Sequence, residues 1–468
     1  MNRNDPRRIA YQLLAAVEFD DAYANLLLPR LLADAGVTGR DAAFTQELAY
    51  GTIRWQLFYD EAIEMAAGRH LDDIDRDALI VIRIGAHQLL GMRTAVHAAL
   101  SETVDLAKDV LPARLTGFVN AVLRRISERT RDDWMQKVLA GLNDEVDRFA
   151  IRYSHPVWVV RALKQALKLD GREADLEALL VADNEPAKVS LVALPGLLDR
   201  KDLLAHEGSL VPGEASPLGL VLESGDPGRL HDVADGSARV QDQGSQLMAL
   251  ALAAAPIDAS LADNSWADIC AGPGGKAALL AALSIKAEAH LFCNEVSQHR
   301  TKLVRNALEP VRQAGANVQI ETGDGRALGK TAAEKFDRIM LDAPCSGLGA
   351  LRRRPEARWR RSSRDIAGLT ILQQELLEAA YAALKPGGVV AYVTCSPHPS
   401  ETTAVVDWAI KRIAGIELLD ANAVLHSVNP ALQLNTERKT AQLWPHVNGT
   451  DAMFIALLKK PAQKKDAR

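Results

Sequence analysis

Cysteine is scarce in this chain, four in 468 residues, and Cys270, Cys293, Cys345 and Cys395 all fall in the second half. None is paired at the short spacing of a zinc site, and no apolar leader with a small-residue cleavage site opens the chain, so neither a structural metal nor a disulfide framework is expected. Long apolar runs are missing too. Even Val389 to Val393 is short, which excludes a membrane-spanning helix. An excess of one charge is also absent: 55 basic against 60 acidic residues leave a net −5, which argues against indiscriminate coating of nucleic acid but permits local basic patches. The expectation is a soluble, cytoplasmic protein without metal or membrane. Its hydrophobic content of 48% is enough to fill real cores, and its length suggests about three domains.

Three regions separate along the chain. Residues 1–150 read as amphipathic helices with almost no alternation. Asp77 to Leu90 is typical, with Leu79, Ile80, Ile82 and Ile84 on an apolar stripe and Gly91 as a stop. Asp41 is expected to cap a helix through Phe44, Leu48 and Ile53, and Phe118 to Ile126 to end in Arg124 and Arg125. Residues 151–235 start with a helix, Pro156 to Leu169, and become rich in Pro, Gly and Ser around Pro212 to Pro227; with one possible strand, Val189 to Leu194, they read as a small α+β connector. From 236 to 468 apolar strands alternate with helices: Trp266 to Cys270, Ala289 to Asn294, Asn317 to Thr322, Phe336 to Asp342, Val389 to Thr394, Ile416 to Leu419 and Ala452 to Leu458. This is the pattern of an α/β, Rossmann-like parallel sheet. Seven strands with a late strand after a crossover match class I methyltransferases, while periodicity alone allows any doubly wound fold. The tail from Lys459 to Arg468 reads as a disordered basic end.

The first of these strands runs into Cys270, Ala271, Gly272, Pro273, Gly274, Gly275 and Lys276, followed by a helix. Glycines there permit a tight turn and close ligand approach, and the helix start presents free amides. The spacing is neither the dinucleotide fingerprint nor the P-loop. Glu295 ends the next strand, where an acid reaches both hydroxyls of a ribose, and Asp324 follows the third; together they outline an adenosyl pocket that suits S-adenosylmethionine. As simpler readings, Glu295 caps the following helix and Asp324 holds a turn. Cys270 and Cys293, inside apolar runs, read first as small buried hydrophobes.

Cys345 lies in Asp342-Ala-Pro-Cys-Ser-Gly347 and Cys395 in Thr394-Cys-Ser-Pro397, both at strand ends. If the strands share a sheet, the thiols meet. Convergent thiols beside a cofactor pocket suit methylation at carbon 5 of cytosine, which needs a nucleophile on carbon 6 first. Between the two motifs, Arg352 to Arg364 holds seven arginines against Glu356. Arg352, Arg353, Arg354 and Arg358 with Trp359 suit phosphates and unstacked bases, against the simpler reading of a solvated charged loop.

Arg40-Asp-Ala-Ala-Phe44, Glu47-Leu-Ala-Tyr-Gly-Thr-Ile-Arg54 and Phe118-Val-Asn-Ala-Val-Leu-Arg-Arg125 resemble the NusB family of helical RNA-binding domains. The resemblance implies a substrate-recognition module, with Arg7, Arg8, Arg124 and Arg125 as candidate contacts. Cys-Ala-Gly-Pro-Gly-Gly-Lys, Asp-Ala-Pro-Cys-Ser-Gly and Thr-Cys-Ser-Pro, in that order, resemble the RsmB/NOP family of RNA cytosine-5 methyltransferases. With the NusB-like front, the whole chain is similar to the branch acting on 16S ribosomal RNA. The resemblance implies Cys395 as nucleophile, Cys345 as the group assisting release, Asp342 and Lys276 against the base, and cofactor contacts at the 270–276 loop, Glu295, Asp324 and Asp342. A monomer is expected. The division of roles between the thiols rests on that resemblance. Two departures concern details: Ser190 and Val192 replace an arginine and an asparagine common in relatives, and Ala277 and Ala278 replace threonines. A non-catalytic RNA-binding assembly factor and an amine or protein methyltransferase stay as alternatives.

Overall fold

The computed structural model describes residue 2, residues 4–206 and residues 208–462. It divides into two compact units. One comprises Met1–Arg161 with Leu351–Ser362, the other Ala162–Ala350 with Ser363–Arg468. Among the described residues no helix is long and apolar enough to cross a membrane.

The first unit is a helical bundle. Its helices Pro6–Phe19, Ala24–Asp34, Gly39–Arg54, Gln56–Ala67, Arg76–Leu90, Val96–Val110 and Ala113–Ser127 close on one core that includes Leu13, Leu48, Phe58, Ile63, Ile82, Leu106 and Leu123. The stripe read at Asp77 to Leu90 lies in the helix Arg76–Leu90, capped by Asp75 through the Ala78 amide. The capping expectation for Asp41 is corrected: Thr38 is the N-cap and Asp41 sits in the first turn of Gly39–Arg54, where a carboxylate still favours the positive end of the helix dipole.

The arginine run supplies a second correction. Its segment 351–362 belongs to this helical unit. Arg358 is fully buried and donates to the carbonyls of Arg54 and Ser154, both at 3.0 Å. Trp359 packs on the bundle core and donates its indole N–H to Ile53 O at 2.8 Å. Arg358 is closed off from RNA, and each of the two side chains closes backbone carbonyls that the interior would otherwise leave unpaired. Arg360 donates to the Asp21 and Ala22 carbonyls, and it and Arg354 lie over the Tyr23 ring at 4.1 and 4.8 Å.

The second unit carries two sheets. The smaller is antiparallel, from β1 (Val189–Ala193), β2 (Leu210–Pro212), β3 (Gly219–Leu222) and β4 (Ala238–Val240), in the order β2-β3-β1-β4. Of these, sequence pattern indicated β1 alone. The larger comprises β5 (Ser265–Asp268), β6 (His290–Glu295), β7 (Asn317–Thr322), β8 (Phe336–Asp342), β9 (Leu384–Thr394), β10 (Glu417–Leu419), β11 (Ala441–Gln442) and β12 (Phe454–Lys459). Its order is β10-β12-β9-β8-β5-β6-β7, with β11 on β12. Strands β5 to β9 pair in parallel, and β12 runs antiparallel to β9. Both faces are covered: Met340, Val389, Ala391 and Val393 enter one core, Ile339, Leu341, Val390 and Tyr392 the other. This two-sided burial explains the continuous apolar runs.

The stretch Val240 to Gln246 joins the two sheets. Gln243 Oε1 accepts from the Ala215 and Ser216 amides, Gln246 donates to Leu191 O, and Asp242 caps the helix Gln243–Ala254 while accepting from the Asp451 amide. The tail expectation is corrected in part. Lys459 closes β12 and Lys460 pairs with Glu334 at 2.9 Å, while residues 463–468 lie outside the described residues.

Arg358→Ala is expected to lower the stability of the helical unit by about 1–3 kcal/mol, since it orphans two buried carbonyls. Urea unfolding followed by tryptophan fluorescence measures it, with exposed Arg361→Ala changing by no more than about 0.5 kcal/mol. An unchanged midpoint for Arg358→Ala would remove the structural role.

Candidate active site

The parallel strands β5, β6, β7 and β8 end on one edge of the larger sheet, and the chain's chemistry collects there. The order reverses between β5 and β8, the place where open α/β sheets bind ligands. The glycine loop follows β5. The Gly272 amide donates to Glu295 Oε2 at 3.1 Å, and a Cβ on Gly272 would stand 2.2 Å from that oxygen, so a larger residue would push the carboxylate out of place. Gly274, at φ +109°, starts the helix Gly275–Lys286.

Glu295 is buried, 3% exposed. Besides Gly272, it accepts from the Ser297 amide at 3.0 Å and pairs with Arg300 at 3.5 Å. A carboxylate has about four acceptor sites, so capacity for ribose hydroxyls remains. Asp324 is half exposed and held by Arg326, whose guanidinium donates to both its oxygens and pairs with Glu375. The Arg326 bonds hold the Asp324 carboxyl below the usual range. Asn294 ties the strand ends together by donating to Ile269 O and Gly323 O.

Asp268, at the end of β5, was not among the residues singled out by sequence. It is 1% exposed; Oδ1 accepts from the Cys270 amide and Oδ2 is buried without a hydrogen-bond partner. Burial above all, then Asp342, pushes its carboxyl up to about 7, against the opposing pull of Lys276. An acid closing the first apolar strand, two residues before Cys270, was the available signal. A buried acceptor beside a glycine loop fits the ammonium end of an amino-acid-bearing cofactor. With Glu295 and the loop amides, the residues present fit an adenosyl compound.

Lys276 projects from the first turn after the loop to Asp342 Oδ2 at 2.8 Å. Burial pulls its pKa down, but Asp342 and then Cys395 more than reverse this, leaving it above an ordinary lysine. Cys345 and Cys395 stand with their sulfurs 3.4 Å apart. The bond to Cys395, then burial, then the charges of Cys395, Glu401 and Asp342 push the Cys345 thiol well up. Cys270 and Cys293 are also pushed well up, chiefly by burial, which keeps both as protonated thiols. Gly349 locks the two cysteine loops together: its N–H donates to Cys395 O and its C=O accepts from Ala452 N, both at 2.8 Å. A Cβ there would meet Ala452 O at 2.1 Å. Among the described residues no cluster of three metal-ligating side chains occurs.

The remaining sequence candidates lie in the helical unit. Arg7 bonds Gln88 and covers the Phe44 ring, Arg8 pairs with Asp109, and Arg125 donates to Ala66 O. Arg124 and Arg353 are exposed, and Arg352 is half-buried.

Two family models match the chain. The family described as 16S rRNA methyltransferase RsmB/F matches residues 257–459, and the NusB family matches residues 4–128. A putative methyltransferase of Mycobacterium tuberculosis, MT1451, is 45% identical over 97% of both chains. The chain belongs to the RsmB/F family of 16S rRNA methyltransferases. The ribosomal RNA small subunit methyltransferase B of Vibrio cholerae is 33% identical over 92% of each chain. The crystal structure of PH0851 superposes with a TM-score of 0.80 over 98% of this chain and 99% of that one at 20% identity, a likeness of fold that extends through both units.

Because an acid with a raised pKa keeps its proton in the folded state where the unfolded chain has lost it, Asp268 makes stability fall as pH rises from about 4 through about 7. Asp268→Asn removes that dependence. Its stability relative to the parent is expected to rise over this window, by at most about 1.4 kcal/mol for each pH step crossed, and to stay level below it. Thermal midpoints across pH measure this; a pH-independent difference would mean an ordinary carboxyl.

Proposed function

We propose that this RsmB/F-family chain transfers the methyl group of S-adenosylmethionine to carbon 5 of a cytosine in 16S ribosomal RNA, through a covalent bond from Cys395 to carbon 6. The observation that carries the reading is the pair of thiols 3.4 Å apart beside the Lys276–Asp342 pair. An amine methyltransferase has no use for two thiols; addition and elimination at a pyrimidine has a use for each. S-adenosylmethionine, when bound by the 270–276 loop, Glu295, Asp324 and Asp268, supplies an electrophilic methyl group.

The residues of the chain do the rest. Cys395 adds as thiolate, and the nearby Lys276 ammonium stabilises that charge. Cys345, its sulfur 3.4 Å from that of Cys395, is kept for the release step, a division of roles that rests on the family resemblance. After the methyl group is on carbon 5, that carbon gives its proton to solvent, the C–H electron pair forms the 5,6 double bond, and Cys395 leaves carbon 6 as thiolate, restoring aromaticity; Cys345 assists at this stage. Asp342 engages the amidine edge of the cytosine while Lys276 orients it. The base must be unstacked for carbon 6 to be reached, so the target lies in a loop or is turned out.

The helical unit is read as the RNA-recruiting module, with Arg124, Arg353 and Arg354 as phosphate contacts, and residues 151–235 as a connector serving the substrate. We place the protein in the cytoplasm, acting as a monomer on free or early assembling ribosomal RNA.

Cys395→Ala is expected to reduce methyl transfer from labelled S-adenosylmethionine into undermodified 16S RNA to background while cofactor binding persists; full activity would sink the assignment. Cys345→Ala is expected to accumulate a protein–RNA adduct resistant to denaturant, because addition proceeds while elimination slows. Clean turnover by that variant would remove Cys345 from release.

A further inference from the structure

A buried carboxylate outside both cysteine motifs joins the two thiol loops. Glu401 is completely buried. Its Oε1 accepts from the Ser346 amide at 2.8 Å and from Gln373 Nε2 at 3.2 Å. Its Oε2 accepts the hydroxyls of Ser346 and Ser396 at 2.5 and 2.7 Å, and those hydroxyls stand 3.0 Å apart. Ser346 directly follows Cys345, and Ser396 directly follows Cys395. Gln373 also donates to the carbonyl of Pro344, the residue before Cys345. Tyr392, on the strand that leads to Cys395, donates its hydroxyl to Glu401 O at 2.6 Å.

Four donors use about the full accepting capacity of one carboxylate. No basic side chain is needed to hold it, and a buried carboxylate so served is rigid because each lost bond would cost about 1–3 kcal/mol. The one anion therefore couples two loops fifty residues apart in sequence at the positions next to their sulfurs. Thiols that act in succession on one base need this coupling, since displacement of a reacting group by about 1 Å costs on the order of 10²-fold in rate.

We propose that Glu401 is a positioning residue that sets the spacing and direction of Cys345 and Cys395 through Ser346, Ser396 and Gln373. This role rests on the reading of both thiols as reacting groups. Glu401→Gln keeps size but turns an amide N–H₂ toward donors that need an acceptor.

The test uses the full chain. Phenylarsine oxide bridges two adjacent thiols: two As–S bonds form, both thiol protons pass to the arsenic-bound oxygen, and water leaves without any change of oxidation state. The Cys345→Ala and Cys395→Ala variants set the unbridged baseline. Glu401→Gln is expected to retain S-adenosylmethionine binding, to lose about 10²-fold in kcat with little change in KM for RNA, and to bridge about tenfold more weakly. Parental bridging and kcat in Glu401→Gln would overturn the proposal. If that variant does not fold, the double variant Ser346→Ala, Ser396→Ala keeps the charge and removes the hydroxyl links; it must show the same two losses, and parental values for it overturn the proposal equally. Bridging needs no RNA. Weakened bridging in Glu401→Gln, with parental methyl groups found on an atom other than carbon 5, would support the positioning role while defeating the cytosine reading.

Discussion

Parallel pairing of β8 with β9, in the register that sets Asp342 opposite Val393, is the constraint on which the site depends. It delivers two loops, each carrying a thiol, to the same edge of the sheet. A slip of two residues would move one loop by about 6.6 Å along the strand, and a slip of one would turn every side chain to the wrong core. The register is held by burial on both faces, where Ile339, Met340 and Leu341 alternate between two cores as Val390, Ala391 and Tyr392 do on the neighbouring strand. Past the strand ends, the Ala343 amide still donates to Val393 O at 2.8 Å, so the ladder continues into the first residue of the cysteine loop.

The edge so formed concentrates charge in a dry place. Asp268, Glu295, Lys276 and Asp342 all approach or exceed what burial tolerates without partners. Lys276 and Asp342 neutralise each other at 2.8 Å, Glu295 is served by two main-chain amides, and Asp268 avoids charge by holding its proton up to about pH 7. A site built for stability alone would have apolar residues here. Retaining these groups is consistent with a pocket prepared for a charged cofactor and a developing thiolate.

Much of this was legible in sequence because the signals were local. Val389–Val393 could be read from its unbroken apolar run and Asn317–Thr322 from its alternation of polar residues with Val318 and Ile320, and the glycine loop from its spacing between strand and helix. What failed to be legible had non-local causes. The short strands β2, β3 and β4 have too few residues to show a period. Arg358 and Trp359 stood among arginines immediately after a cysteine motif, a context that suggests RNA, yet their donors close the carbonyls of Arg54, Ser154 and Ile53, residues some 200 to 300 positions away that no local pattern connects with them. Asp41 was read as a cap because the helix start depends on which backbone amides go unpaired, and Thr38 lies one turn earlier.

The sequence by itself determined the classes: a helical front, a parallel α/β core, a glycine loop between strand and helix, and two thiols at strand ends. Periodicity and short motifs carry that information because they depend on neighbours along the chain. Only the tertiary structure decided that the thiols stand 3.4 Å apart, that Asp268 is buried with a free oxygen, and that most of the arginine run's inner members serve the bundle. Distance, burial and hydrogen-bond partnership are properties of the assembled sheet and core, and they arise only when segments remote in sequence are brought into register.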